Sequence, residues 1–138
     1  MKRRLFLSVI GAALLVNLLI GARVYVTSAS AAQKDSAEWA RLLVVSCARW
    51  AQKRIPESDA ALAELIANTG ELAAYQVAEA YAYRNDKDHA FEWLERARRQ
   101  RDAGLPTLRP DTLLPNLHDD PRWDAFLRKM DLADDQLK

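Results

Sequence analysis

Residues 71–102 read ELAAYQVAEAYAYRNDKDHAFEWLERARRQRD. In the first half, Ala74, Val77, Ala78 and Tyr81 recur at helical spacing, and Leu72, Tyr75, Glu79 and Tyr83 fall on nearly the opposite side. Two faces of one helix therefore carry large side chains. Asn85 tolerates positive φ in a tight turn, and Asp86 or Asp88 accepts the free amide hydrogens of a second helix and favours its positive end. That second helix turns Ala90, Phe91, Leu94 and Ala97 to one side. Ala78, Ala90 and Ala97 are small enough to let two antiparallel helices cross closely. The stretch reads as a helical hairpin. Elsewhere neither alternation nor a β-branched run lasts, so the expected class is all-α.

The group Asp86, Asp88 and His89 contains metal-ligand residue types. Adjacent residues at a helix start point apart, and no second histidine lies nearby, so a turn and cap are expected there and no metal.

Upstream, Asp35 and Glu38 have the spacing of a capping box, which predicts a helix start. Trp39, Leu42, Leu43, Ser46, Cys47 and Trp50 would form its inner stripe, ending before Ile55 and Pro56. A shorter helix is predicted after Ser58, with Leu62, Leu65 and Ile66 on one face and Gly70 closing it; the next begins near Glu71. Downstream, Asp120 should cap a helix with Pro121 at its first position and Trp123, Phe126, Leu127 and Met130 buried.

The amino terminus has Lys2, Arg3 and Arg4 before an uncharged stretch from Leu5 to Ala22. Its length is near the lower end of the roughly 17 to 25 residues that span hydrocarbon, and exceeds the core of most signal peptides. Ala29, Ser30 and Ala31 supply a small-x-small cleavage pattern, so residues 1–31 read as a membrane anchor or as a signal peptide cut after Ala31. A buried core helix is the bland alternative. The basic cluster outweighs Arg23, which places the chain from Gln33 onward outside the cytoplasm.

Of 138 residues half are hydrophobic, enough for one domain, and 20 basic residues nearly balance 19 acidic ones. Near-neutral charge gives no global case for nucleic acid. Arg96, Arg98, Arg99 and Arg101 crowd one helix end, yet Glu92 with Arg96 and Glu95 with Arg99 are spaced for stabilising pairs, so a solvated face is expected. The single cysteine, Cys47, excludes an intramolecular disulfide and a paired-cysteine zinc site. His89 and His118 lack a recognisable nucleophile, and the 4 glycines form no phosphate loop. A non-catalytic protein without cofactor, metal or small-molecule substrate is expected.

The hairpin from Glu71 to Asp102 resembles the tetratricopeptide repeat. Ala74, Val77, Ala78 and Tyr81 stand at its first-helix positions, and Ala90, Leu94 and Ala97 at those of the second. Asn85 stands where the family usually has glycine, and Asp102 where it often has proline. Downstream, RDAGLPTLRPDTLLPNLHDDPRWDAFLRKMDL looks like the segment that closes a repeat group. The resemblance to a TPR end-of-group domain thus extends over 57–132, after a linker and first amphipathic helix at 32–56 and before a tail at 133–138. The leader segment NLLIGARVYVTSASAAQKDSA is similar to that of some bacterial carboxyl-terminal processing proteases. The resemblance implies a protein or peptide partner along the first helix, with Leu72, Tyr75, Glu79, Ala82 and Tyr83 as partner-binding positions. For Tyr75 and Tyr83, packing against the helix at 36–54 is the alternative. The expected protein is an interaction module of the bacterial cell envelope, anchored in the inner membrane or released to the periplasm. An orphaned terminal repeat with a purely structural role, or an enzyme of unrecognised type, is the alternative.

Overall fold

The computed structural model describes residues 34–69 and 72–137. The leader, Gly70 and Glu71 lie outside them, and so do the expectations placed on those positions. Among the described residues there is no strand, and no helix is long and apolar enough to cross a membrane. Residues 38–138 form one unit. The helices of the described residues are α1 at 34–51, which enters this unit at Glu38, α2 at Ile55–Thr69, α3 at Ala74–Tyr83, α4 at Lys87–Gln100 and α5 at Pro121–Lys129. Short 3-10 turns at Leu105–Thr107 and Pro115–Leu117 punctuate the stretch between α4 and α5.

The ends of these helices follow local chemistry. Asn85 takes φ 62 in the turn, and the Asp86 side chain accepts the His89 amide hydrogen at 3.3 Å, so DKDH is the way into α4. At its far end Arg101 adopts a left-handed φ of 56, while the Asp102 amide donates to the Ala97 carbonyl at 3.0 Å. That closes the helix in the manner usually left to glycine. Asp120 caps α5 by accepting the Arg122 amide hydrogen at 3.0 Å, with Pro121 at the first position.

Several expected starts move. Lys34 is already helical, so Asp35 is not the cap of α1; Glu38 instead binds Arg41, at 3.0 and 2.6 Å. α2 begins at Ile55 rather than after Ser58, since proline fits a first turn, where its missing N–H leaves no bond unmade. The Ser58 hydroxyl donates to the Ser46 carbonyl at 2.7 Å and ties α2 to α1. α3 begins at Ala74, which leaves Leu72 ahead of the helix. Glu95 bonds Arg98 at 3.0 Å and also Lys129, so the i,i+4 pair with Arg99 gives way to a clasp between α4 and α5.

Two apolar clusters meet on α3. One joins Leu42, Leu43 and Cys47 of α1 with Leu62 and Leu65 of α2 and with Val77 and Ala80. The other joins Ala74, Tyr75 and Ala78 with Ala90, Phe91, Leu94 and Ala97 of α4, and with Leu105, Leu108, Leu114, Leu117, Trp123, Phe126 and Leu127 beyond it. Tyr81 and Trp93 border both. α3 is therefore the central helix: Ala74, Tyr75, Val77, Ala78, Ala80 and Ala82 are buried, Gln76, Glu79, Tyr81 and Tyr83 are half-buried, and none of its residues is fully exposed. Its alanines make that possible, because they let neighbours approach closely.

Candidate functional site

Part of the expected partner edge of α3, Tyr75 and Ala82, is covered by the chain's own carboxyl-terminal segment. Tyr75 is 1% exposed and Ala82 is 0% exposed. The Tyr75 hydroxyl donates to Asp111 Oδ2 at 2.6 Å, and its backbone N–H donates to Asp102 Oδ2 at 3.0 Å. Gly104 lies against the same ring so closely that an added Cβ would come within 2.5 Å of Cδ1. Further along, the Asn116 side-chain amide donates to the Ala82 carbonyl at 3.0 Å. Tyr75 is thus packed, but against residues 102–114 and not against α1.

Glu79 is half-buried beside this contact and close to Asp111. Burial first, then the nearby Asp111, push its carboxyl up to about 9, so it is protonated at neutral pH. Burial and the bond to Asp111 likewise hold the Tyr75 phenol far above its ordinary range. Tyr75 therefore donates to one oxygen of Asp111, whose other oxygen accepts the Leu113 amide hydrogen at 2.8 Å, and the Glu79 carboxyl lies beside them. The arrangement fixes a loop; its acidic groups face each other and the core.

Removing this segment from α3 would expose Leu105, Leu108, Leu114 and Leu117, which are all 4% exposed or less. Burial of a leucine is worth about 1.5–3 kcal/mol. Together that approaches the roughly 5–15 kcal/mol that stabilises a whole domain, so opening the edge amounts to unfolding. Tyr75 and Ala82, expected as partner-binding positions, thus lie buried within the fold. Of the other positions, Leu72 is 70% exposed, and Glu79 and Tyr83 are half-buried, with Tyr83 against the α1–α2 cluster.

A second polar cluster sits at the other end of α3. The Arg84 side chain is 8% exposed and bonds Asp59 Oδ1 at 2.8 Å, Ser58 Oγ at 2.6 Å and Ser46 Oγ at 3.0 Å. Its guanidinium lies 5.1 Å from the Trp50 ring centre, and its Nε is buried without a hydrogen-bond partner. One cation thereby joins α1, α2 and α3. Spacing along the chain gave no sign of it, because the partners lie on three helices.

Burial first, and Glu79 second, push the Cys47 thiol up to about 11, which leaves it a poor nucleophile. His89 stacks on Tyr81 with ring centres 4.9 Å apart, and His118 lies 4.6 Å from Trp123. Among the described residues no group of three or more His, Cys, Asp or Glu is placed to hold a metal ion. The arginines at the end of α4 divide: Arg96 lies 4.7 Å over the Trp93 ring, Arg98 bonds Glu95, and Arg101 is exposed. Comparison with protein-family models, curated proteins and solved structures finds no match.

Proposed function

We propose that this chain is a non-catalytic, TPR-like protein-interaction module of the bacterial cell envelope, carried across or held at the inner membrane by its amino-terminal segment. The observation that supports a repeat-like build is the α3–α4 hairpin, in which Ala74, Ala78, Ala90 and Ala97 are each 0% exposed where the two helices meet. Residues 102–130 then act as the closing piece of that hairpin, covering the apolar face that a further repeat would otherwise cover. The partner is a protein or peptide and meets the surface that the closing piece leaves open, with Leu72 and the carboxyl end of α4 as its exposed parts.

The test is capture from envelope extract with the full chain, comparing wild type with Leu72→Asp and Arg101→Glu, together with protease access in intact spheroplasts. Reproducible recovery of a protein that either variant loses supports the reading, as does digestion by added protease that places residues after Gln33 outside. Recovery of nothing reproducible, or retention of the intact chain in the cytoplasm, overturns it. The closed α3 edge also favours a second reading, a terminal repeat fragment with a purely structural role, and failure of capture with correct export is the outcome that selects it.

A further inference from the structure

We infer that the cleft between the carboxyl end of α4 and the residues after α5 docks a short acidic peptide segment carrying a leucine-sized apolar side chain. This rests on the interaction-module reading and names the chemistry of the partner. The cleft has a volume of about 370 Å³, within the range that accepts a few side chains. Its floor is Leu105, Pro106, Met130 and Leu132. Leu105 is buried, Pro106 is exposed, and Met130 and Leu132 are half-buried, so apolar surface faces solvent here without closing on itself. Met130 adds an adaptable thioether able to fit differing side chains.

Charge decides what such a segment must carry. Arg98 and Arg101 stand on the rim. Arg98 already bonds Glu95, whereas the Arg101 side chain has no ion pair or hydrogen bond among the described residues. Its left-handed backbone fixes the position from which the guanidinium extends. The acidic residue lining the cleft, Asp102, has both oxygens engaged, one by the Tyr75 amide at 3.0 Å and the other by the Gly104 amide at 2.9 Å. Neither oxygen pairs with Arg101 among the described residues. Arg96, Arg98 and Arg99 offset the partial negative charge of the helix end, which would otherwise repel a carboxylate. An apolar floor with a guanidinium rim is complementary to a leucine flanked by carboxylates. A lipid surface would need the apolar residues to project outward, and here they line a recess.

The probe is a short labelled peptide with adjacent leucines flanked by glutamates, read by fluorescence anisotropy against the full chain in zwitterionic lipid nanodiscs. The glutamine version of the peptide and the variants Arg101→Glu and Leu132→Asn are run beside it, with circular dichroism to confirm folding. Arg101→Glu changes an exposed side chain at a helix end, so the fold is expected to persist if Leu132→Asn perturbs it. Loss of affinity of about tenfold or more with Arg101→Glu and with the glutamine peptide, at unchanged helicity, is the expected result. Equal binding by wild type and Arg101→Glu, equal binding of both peptides, or no binding of the glutamate peptide overturns the inference. Capture from envelope extract that survives Arg101→Glu then leaves the interaction-module reading standing without it. Binding confined to phosphatidylglycerol vesicles, or peptide-independent self-association abolished by Arg101→Glu, also overturns it, in favour of a membrane surface or a second copy.

Discussion

Asp102 caps α3, the helix that begins at Ala74, across 27 positions of sequence: its Oδ2 accepts the Tyr75 amide hydrogen at 3.0 Å. Ala73, at the N-cap position itself, has no side chain able to do so. The residue at the end of the hairpin thus satisfies the start of its own first helix. Its second oxygen turns the following chain by binding the Gly104 amide, which brings the closing segment onto Tyr75.

Asp102→Ala should lower stability by about 1–2 kcal/mol, because it removes a cap and a turn together. Asp102→Asn should recover part of the loss, since one amide oxygen still accepts. Urea midpoints of the three proteins decide it. Equal midpoints for wild type and Asp102→Ala would show that the cap contributes nothing.

The Glu79 carboxyl makes stability depend on pH. Its folded pKa is raised from 4.5 to about 9, so the folded chain keeps a proton that the unfolded chain releases above 4.5. That contribution is full below about pH 4.5, declines as pH rises and is gone near 9. Glu79→Gln cannot ionise and should flatten the decline, raising stability near pH 8 by about 1–3 kcal/mol. Thermal melts from pH 5 to pH 9 check this; an unchanged slope in the variant assigns the dependence to another group.

Arg84→Ala should cost about 2–3 kcal/mol, because it removes the guanidinium that bonds Asp59, Ser46 and Ser58 and so joins three helices. The partial exposure of Asp59 keeps the figure at the low end for a buried ion pair. Arg84→Lys should restore little, since an ammonium lacks the planar fork that reaches Asp59 and both serines while lying over Trp50. Full rescue by lysine in chemical denaturation would show that only the charge matters.

Trp123 is 6% exposed and belongs to the cluster built on α3 and α4. Trp123→Ala should lower stability by about 3–5 kcal/mol. Amide exchange should then quicken in α3 as well as in α5, because residues 102–130 fold as one body with the hairpin. Faster exchange confined to α5 would instead make that helix a separate appendage.

What the sequence alone determined is what neighbouring residues decide among themselves. The α3–α4 hairpin, the turn at Asn85, the caps at Asp86 and Asp120 and the buried stripe of α5 all rest on spacings of four residues or fewer, and the structure holds each of them, with Met130 at the end of the stripe only half-buried. The apolar faces of α1 and α2 were legible for the same reason, through Leu42, Ser46, Leu62 and Leu65. Tertiary structure decided the fate of the α3 edge. Periodicity shows that Tyr75 and Glu79 share a side, but not which later segment returns to it, and the contacts that settle the matter join residues 27, 34 and 36 positions apart. Asp102, Gly104, Asp111 and Arg84 are ordinary turn or surface residues when read in line. They become decisive because burial makes an unpaired carboxyl, amide or guanidinium costly, and only the folded chain brings their partners within reach.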